Sequence, residues 1–175
     1  MKHTRRGLAR FAMASLAALA LMGPAAPLWA GSADPTPETI VMTVTYEDGS
    51  GREMRELTLG EVMELPVSGF ETSTVWTEGV QRFEGVWLED LIAHLGLNEG
   101  TLELSALNEY LVDFQADEIP GSKALVAYRH NGKLMSAREK GPLWIVYPYD
   151  EGPEFQTELT YMSSIWQLDR IIALP

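Results

Sequence analysis

Tyr147, Tyr149 and Asp150 fall within four consecutive positions, and Pro148 between the tyrosines restricts the backbone that carries them. A phenol beside a carboxylate can recognise a sugar, an amine or a peptide, so these three are candidate ligand contacts. A plain surface loop would tolerate the same residues. Arg129 and His130 are adjacent. Together they can hold an anion, or Arg129 can pair with one of the chain's many acids across a sheet.

Other chemistries lack their residues. The chain has no cysteine, so it offers no disulfide, thiolate ligand or thiol nucleophile. There is no His-x-x-x-His pair and no Gly-x-Ser-x-Gly elbow. Asp150-Glu151-Gly152-Pro153-Glu154 has acids and a glycine without the alternating spacing that calcium requires. The carboxylates are numerous, but none stands out as a pair for acid–base work.

The elements that must position these residues read as a β-rich α+β chain with few, short helices. Gly141-Pro142 marks a turn. Leu143–Tyr147 is an apolar, strand-forming run, expected as a central strand buried on both faces and stopped by Pro148. Upstream, Ile40–Tyr46 reads as a strand, and Met54–Leu57 as its returning arm. Thr58 and Glu61 have capping-box spacing and open a helix through Met63. Gly69–Trp76 alternates like a strand, and Val80–Glu84 continues in extended form. Gly85–Gly96 is expected as a helix: Leu88, Leu91, Ile92 and Leu95 make one stripe, Gly96 terminates it, and His94 falls on the polar side. Further strands are expected at Leu102–Ala106, Tyr110–Phe114, Ala124–His130, Lys133–Met135 and Gln167–Leu174. Asn131-Gly132 forms a hairpin turn. Trp166 is expected in the core.

The first 33 residues read differently from the rest. Lys2, Arg5, Arg6 and Arg10 precede an uncharged run from Phe11 to Met22, then small residues up to Ala33. This is the pattern of a secretory signal peptide cut after Ala30 or Ala33, and the apolar run is short for a membrane span of about 20 residues. Thr4–Arg10 resembles a twin-arginine export motif, although an ordinary basic head can also contain two adjacent arginines. The remaining stretch, 34–175, is expected to form a single periplasmic or secreted domain. It carries nine basic and all 25 acidic residues, a net charge of −16. Such a charge repels phosphate backbones and anionic lipid, which argues against nucleic-acid or membrane-surface partners.

Several stretches, taken in order, resemble the sulfite oxidase family. Phe83-Glu84-Gly85-Val86-Trp87-Leu88 leads into Asp90-Leu91-Ile92 and Gly96. Asn108-Glu109-Tyr110 resembles that family's Asp-Gly-Tyr turn. Ala127-Tyr128, Asn131-Gly132-Lys133-Leu134 and Gly141-Pro142-Leu143 follow, and Ser164-Ile165-Trp166-Gln167-Leu168 with Ile171 closes the series. The resemblance implies a molybdopterin-binding-domain-like fold of mixed sheets. It implies a ligand cleft near Thr74 and Trp76, with Asn108 and Tyr110 presenting polar groups to it. It also implies a cysteine that ligates molybdenum about eleven residues before the glycine at Gly85, where this chain has Thr74 with Ser73 beside it. The arginine that the family carries after Pro-Leu is Trp144 here. A hydroxyl is a much poorer ligand for molybdenum than a soft thiolate. The reading is therefore a non-catalytic protein without cofactor, binding a small molecule or a periplasmic or membrane redox or signalling partner. The alternative is a molybdopterin-dependent oxidoreductase that holds its cofactor without a thiolate.

Overall fold

A computed structural model describes residues 34–175; the signal-peptide and twin-arginine readings lie outside the described residues. The described chain is α+β and β-rich, with two mixed or antiparallel sheets and three short helices. The first sheet has the order β2-β1-β10-β5-β6: Arg55–Thr58, Ile40–Tyr46, Leu168–Ala173, Thr101–Ala106 and Leu111–Gln115. Its β1–β10 pair is parallel, with Val44 opposite Ile171. The second sheet runs β3-β4-β7-β8: Ser68–Ser73, Val80–Trp87, Leu125–His130 and Lys133–Leu134. Strand β9, Trp144–Val146, also pairs with β7. One apolar core draws on both sheets, with Val44, Leu104 and Ile171 from the first and Val86, Val126 and Ile145 from the second.

Local chemistry explains the boundaries. Thr58 and Glu61 make both bonds of the capping box that starts α1, Leu59–Met63. The stripe Leu88, Leu91, Ile92 and Leu95 is buried on α2, Leu88–Leu95, and Gly96 closes that helix at φ 67°. The helix starts at Leu88, three residues later than expected from Gly85. Gly85 belongs instead to β4, at an irregularity in its pairing with β7. A side chain there would meet the Val126 carbonyl oxygen at 2.1 Å and Ala127 Cα at 2.6 Å, so the strands approach too closely for any Cβ.

Two further expectations change. The strand expected over Gly69–Trp76 ends at Ser73, because the Thr74 hydroxyl closes a turn instead. The run Leu143–Tyr147 contributes only the three-residue strand β9. That strand is buried on both faces as read: Ile145 faces the main core, while Trp144 and Val146 join a smaller cluster with Phe83 and Leu125. Beyond β9, a single bridge joins Trp144 to Trp166. A third helix, α3 at Glu158–Met162, went unpredicted.

Replacing Gly85 with Ala forces backbone against backbone. The expected cost is about 2–3 kcal/mol, read as a lower denaturant midpoint with an unchanged slope. An unchanged midpoint would show that β4 and β7 can separate freely.

Candidate functional site

A turn, a short helix and two strand ends build the main cavity. After β3, the Thr74 hydroxyl bonds the Thr77 hydroxyl at 2.7 Å and accepts from the Trp76 N–H at 3.1 Å. This closed turn fixes Trp76. Its indole lies 5.8–6.1 Å, centroid to centroid, from Trp144, Tyr149, Tyr161 and Trp166, at interplanar angles of 67–84°. Edge-to-face geometry places the positive ring edge on a negative ring face, and each such pair contributes about 0.5–1.5 kcal/mol beyond its buried area.

Asp150 anchors the strand that leads into this turn. One carboxylate oxygen accepts the Ser73 N–H and the other the Ser73 hydroxyl, both at 2.6 Å. The Asp150 N–H donates to Thr72 Oγ1 at 3.1 Å. These bonds hold the Asp150 carboxyl below its usual range. Tyr149 is anchored as well. Ser164 Oγ donates its proton to the Thr160 carbonyl at 2.7 Å, so at 2.6 Å the Tyr149 hydroxyl donates to Ser164. Burial pushes the Tyr149 phenol up to about 12 and also raises Tyr147, so both remain neutral.

The cavity beside this cluster has a volume of about 580 Å³. Trp76, Tyr161 and Trp166 supply aromatic wall, and Ala106 and Ile165 supply aliphatic wall. Asn108, Ser164 and Glu158 are its polar groups, and Tyr110 and Met162 complete the lining. Tyr110 closes one side by donating its hydroxyl to the Met162 carbonyl at 2.8 Å. Asn108 is partly engaged by its own turn, its side-chain oxygen accepting the Tyr110 N–H at 3.2 Å.

Three of the residues singled out from the sequence, Trp76, Asn108 and Tyr110, therefore line one cavity. Thr74 shapes the turn behind it without lining it. The other four have different surroundings. Arg129 pairs with Glu84 at 3.2 Å across the β4–β7 ladder. Tyr147 and Tyr149 are buried in the core rather than displayed on a loop. Asp150 acts on Ser73 rather than facing the cavity. Trp166, expected in the core, is half-buried and forms cavity wall.

Sequence reasoning missed Glu158, Tyr161, Met162, Ser164 and Ile165 as cavity residues. Most of them depend on α3, whose start is signalled by Thr157: its hydroxyl accepts the Thr160 N–H at 3.1 Å. Among the described residues, no group of three or more His, Cys, Asp or Glu could hold a metal ion, and no helix is long and apolar enough to cross a membrane. No family model matches the chain, and no curated protein matches it.

Asp150→Asn removes the charge from the Ser73 clamp and should cost about 1 kcal/mol at neutral pH, the modest value for an exposed site. The Ser73 hydrogen bonds hold the folded-state pKa of Asp150 below the ordinary aspartate range, so its contribution is complete above that range and fades as pH falls through the lowered value. The stability difference between wild type and variant, measured by denaturant titration, should shrink as pH drops below about 4. A difference independent of pH would show that the carboxylate charge is not what holds Ser73.

Proposed function

We propose that this chain is an exported, non-catalytic ligand-binding protein on a sulfite oxidase-type fold, acting in the periplasm or outside the cell. The observation that carries the reading is the 580 Å³ cavity beside Trp76. Its size falls in the ordinary range for small-molecule sites, about 300–1,000 Å³, and its walls are apolar with a few polar groups. Rings at Trp76, Tyr161 and Trp166 suit a compact ligand with a flat or apolar body. Asn108, Ser164 and Glu158 suit one polar end.

The residues around this cavity support binding over turnover. Tyr147 and Tyr149 are neutral, buried phenols, and Tyr149 is bonded to Ser164. Glu158 is the one carboxylate in the lining, so no pair of acids faces a substrate there. The molybdenum pterin implied by the family resemblance does not fit the residues present. Thr74 offers a neutral hydroxyl where a thiolate is needed, and that hydroxyl is engaged by Thr77 and the Trp76 N–H. Trp144, at the position of the family's arginine, is buried edge-on against Phe83 and Trp76, so that position supplies an indole and not a guanidinium.

Nile red, a neutral apolar dye, should bind saturably and quench tryptophan fluorescence. Trp166→Ala should weaken it about tenfold or more, as removal of a central aromatic anchor does. Met162→Asp, an exposed change beside the cavity, should weaken it without unfolding the chain. Arg129→Gln should leave it unchanged. Non-saturating quenching, or equal binding by all variants, would remove this cavity from consideration.

A further inference from the structure

Three cations converge in this strongly acidic chain. Of the nine basic residues after position 33, five have carboxylate partners: Arg52 with Asp48, Arg55 with Glu61, Lys123 with Glu151, Arg129 with Glu84, and Arg170 with Glu109. Among the described residues, the four without a carboxylate partner are Arg82, Lys133, Arg138 and Lys140. The last three line one cavity of about 450 Å³, together with His130 and Trp144. On a surface with 25 acids, an exposed cation readily finds a carboxylate. Three left unpaired around one hollow create a local positive potential against the field of the whole chain. Glu139 lines the same cavity, its Oε2 accepting the Ser136 hydroxyl at 3.0 Å and the Ser136 N–H at 3.4 Å, so three positive charges there face one negative charge.

A second observation is independent of charge. Trp144 is fully buried, and its Nε1–H has no acceptor among the described residues. Its ring neighbours are Phe83, Trp76 and His130. Buried N–H groups are rarely left without an acceptor. Here the unmet donor belongs to a wall of the cavity that the cations line.

We propose that this second cavity binds a small oxyanion, the carboxylate or phosphate group of a compact solute. Lys133, Arg138 and Lys140 supply the charge, and the Trp144 indole, whose N–H is unpaired, lies in the wall beside them. Lys140 is held in place for this role. Its carbonyl accepts the Gln167 N–H at 2.9 Å, and its ammonium lies 4.9 Å from the Trp166 ring centroid and 5.6 Å from that of Trp144. The net charge of −16 repels polyanions at long range, which limits the occupant to a small anion held by short contacts. The two cavities adjoin at one turn, where Trp76 lines the first and Thr77 the second. The proposal does not depend on what the first cavity binds.

The test uses ¹⁵N-labelled protein titrated with inorganic phosphate and, separately, with acetate, against chloride at matched ionic strength. Saturable movement of the Trp144 indole N–H signal is expected with at least one of the two, and the one that saturates identifies the oxyanion. Lys140→Gln and Lys133→Gln should each weaken binding about tenfold, the usual loss for a charge-assisted hydrogen bond. Lys133 is an exposed hairpin residue, so its variant tests the site even if Lys140→Gln disturbs the Trp144–Trp166 packing. Arg82→Gln removes the same charge from outside the cavity and should leave affinity unchanged. Linear, non-saturating shifts with both anions, or an Arg82→Gln loss equal to that of Lys133→Gln, would overturn the proposal.

Discussion

The edge-on packing of Trp76 against four other aromatic rings is the interaction on which the cavity region depends. Trp76 comes from the turn after β3, Trp144 from β9, Tyr149 from the segment after β9, Tyr161 from α3, and Trp166 from the segment before β10. Main-chain bonds of Ile145 to Ile165, Gln167 to Lys140 and Leu168 to Leu143 join the segments that carry Trp144 and Trp166, and the rings tie in the others. The aromatic contacts bring them together, and polar clamps fix the angle of approach. Asp150 holds Ser73, Thr74 holds Trp76, and Ser164 holds Tyr149. The rings supply contact area, and the clamps set the angles at which the rings meet.

Charge divides the two hollows beside this cluster. The first has aromatic walls, a single acid and no basic residue in its lining. The second has three cations, one acid and an imidazole. Burial lowers the His130 pKa, which keeps that imidazole neutral near pH 7. The lysines and the arginine therefore carry the positive potential there.

The parts of the fold set by local rules were legible in the sequence. β1 spans the strand-forming run Ile40–Tyr46, the Thr58–Glu61 box starts α1, and the apolar stripe with Gly96 marks α2. Errors arose where a distant contact overrode local pattern. Gly85 resembled the first turn of a helix but is kept in a strand by the close approach of Val126. Thr74 continued a strand-like alternation, yet its hydroxyl closes a turn with Thr77. At the cavity, Trp76, Asn108 and Tyr110 were accessible from the sequence. Tyr161 was not, because α3 is a five-residue helix with no amphipathic repeat to reveal it, and Trp166 was read as core rather than as cavity wall. Tyr147, Tyr149 and Asp150 stood out by composition. Sequence spacing could not indicate that the tyrosines turn inward and that the aspartate serves a strand 77 residues earlier.

Native mass spectrometry of the protein isolated under non-denaturing conditions from the cells that make it tests the central claim most directly, namely that this architecture binds a ligand without molybdenum chemistry. The expected mass is that of the chain alone or with a small organic molecule, and with no molybdenum. A stoichiometric species carrying molybdenum and a pterin would contradict the account, because it would require a cofactor held without a thiolate beside a buried tryptophan cluster.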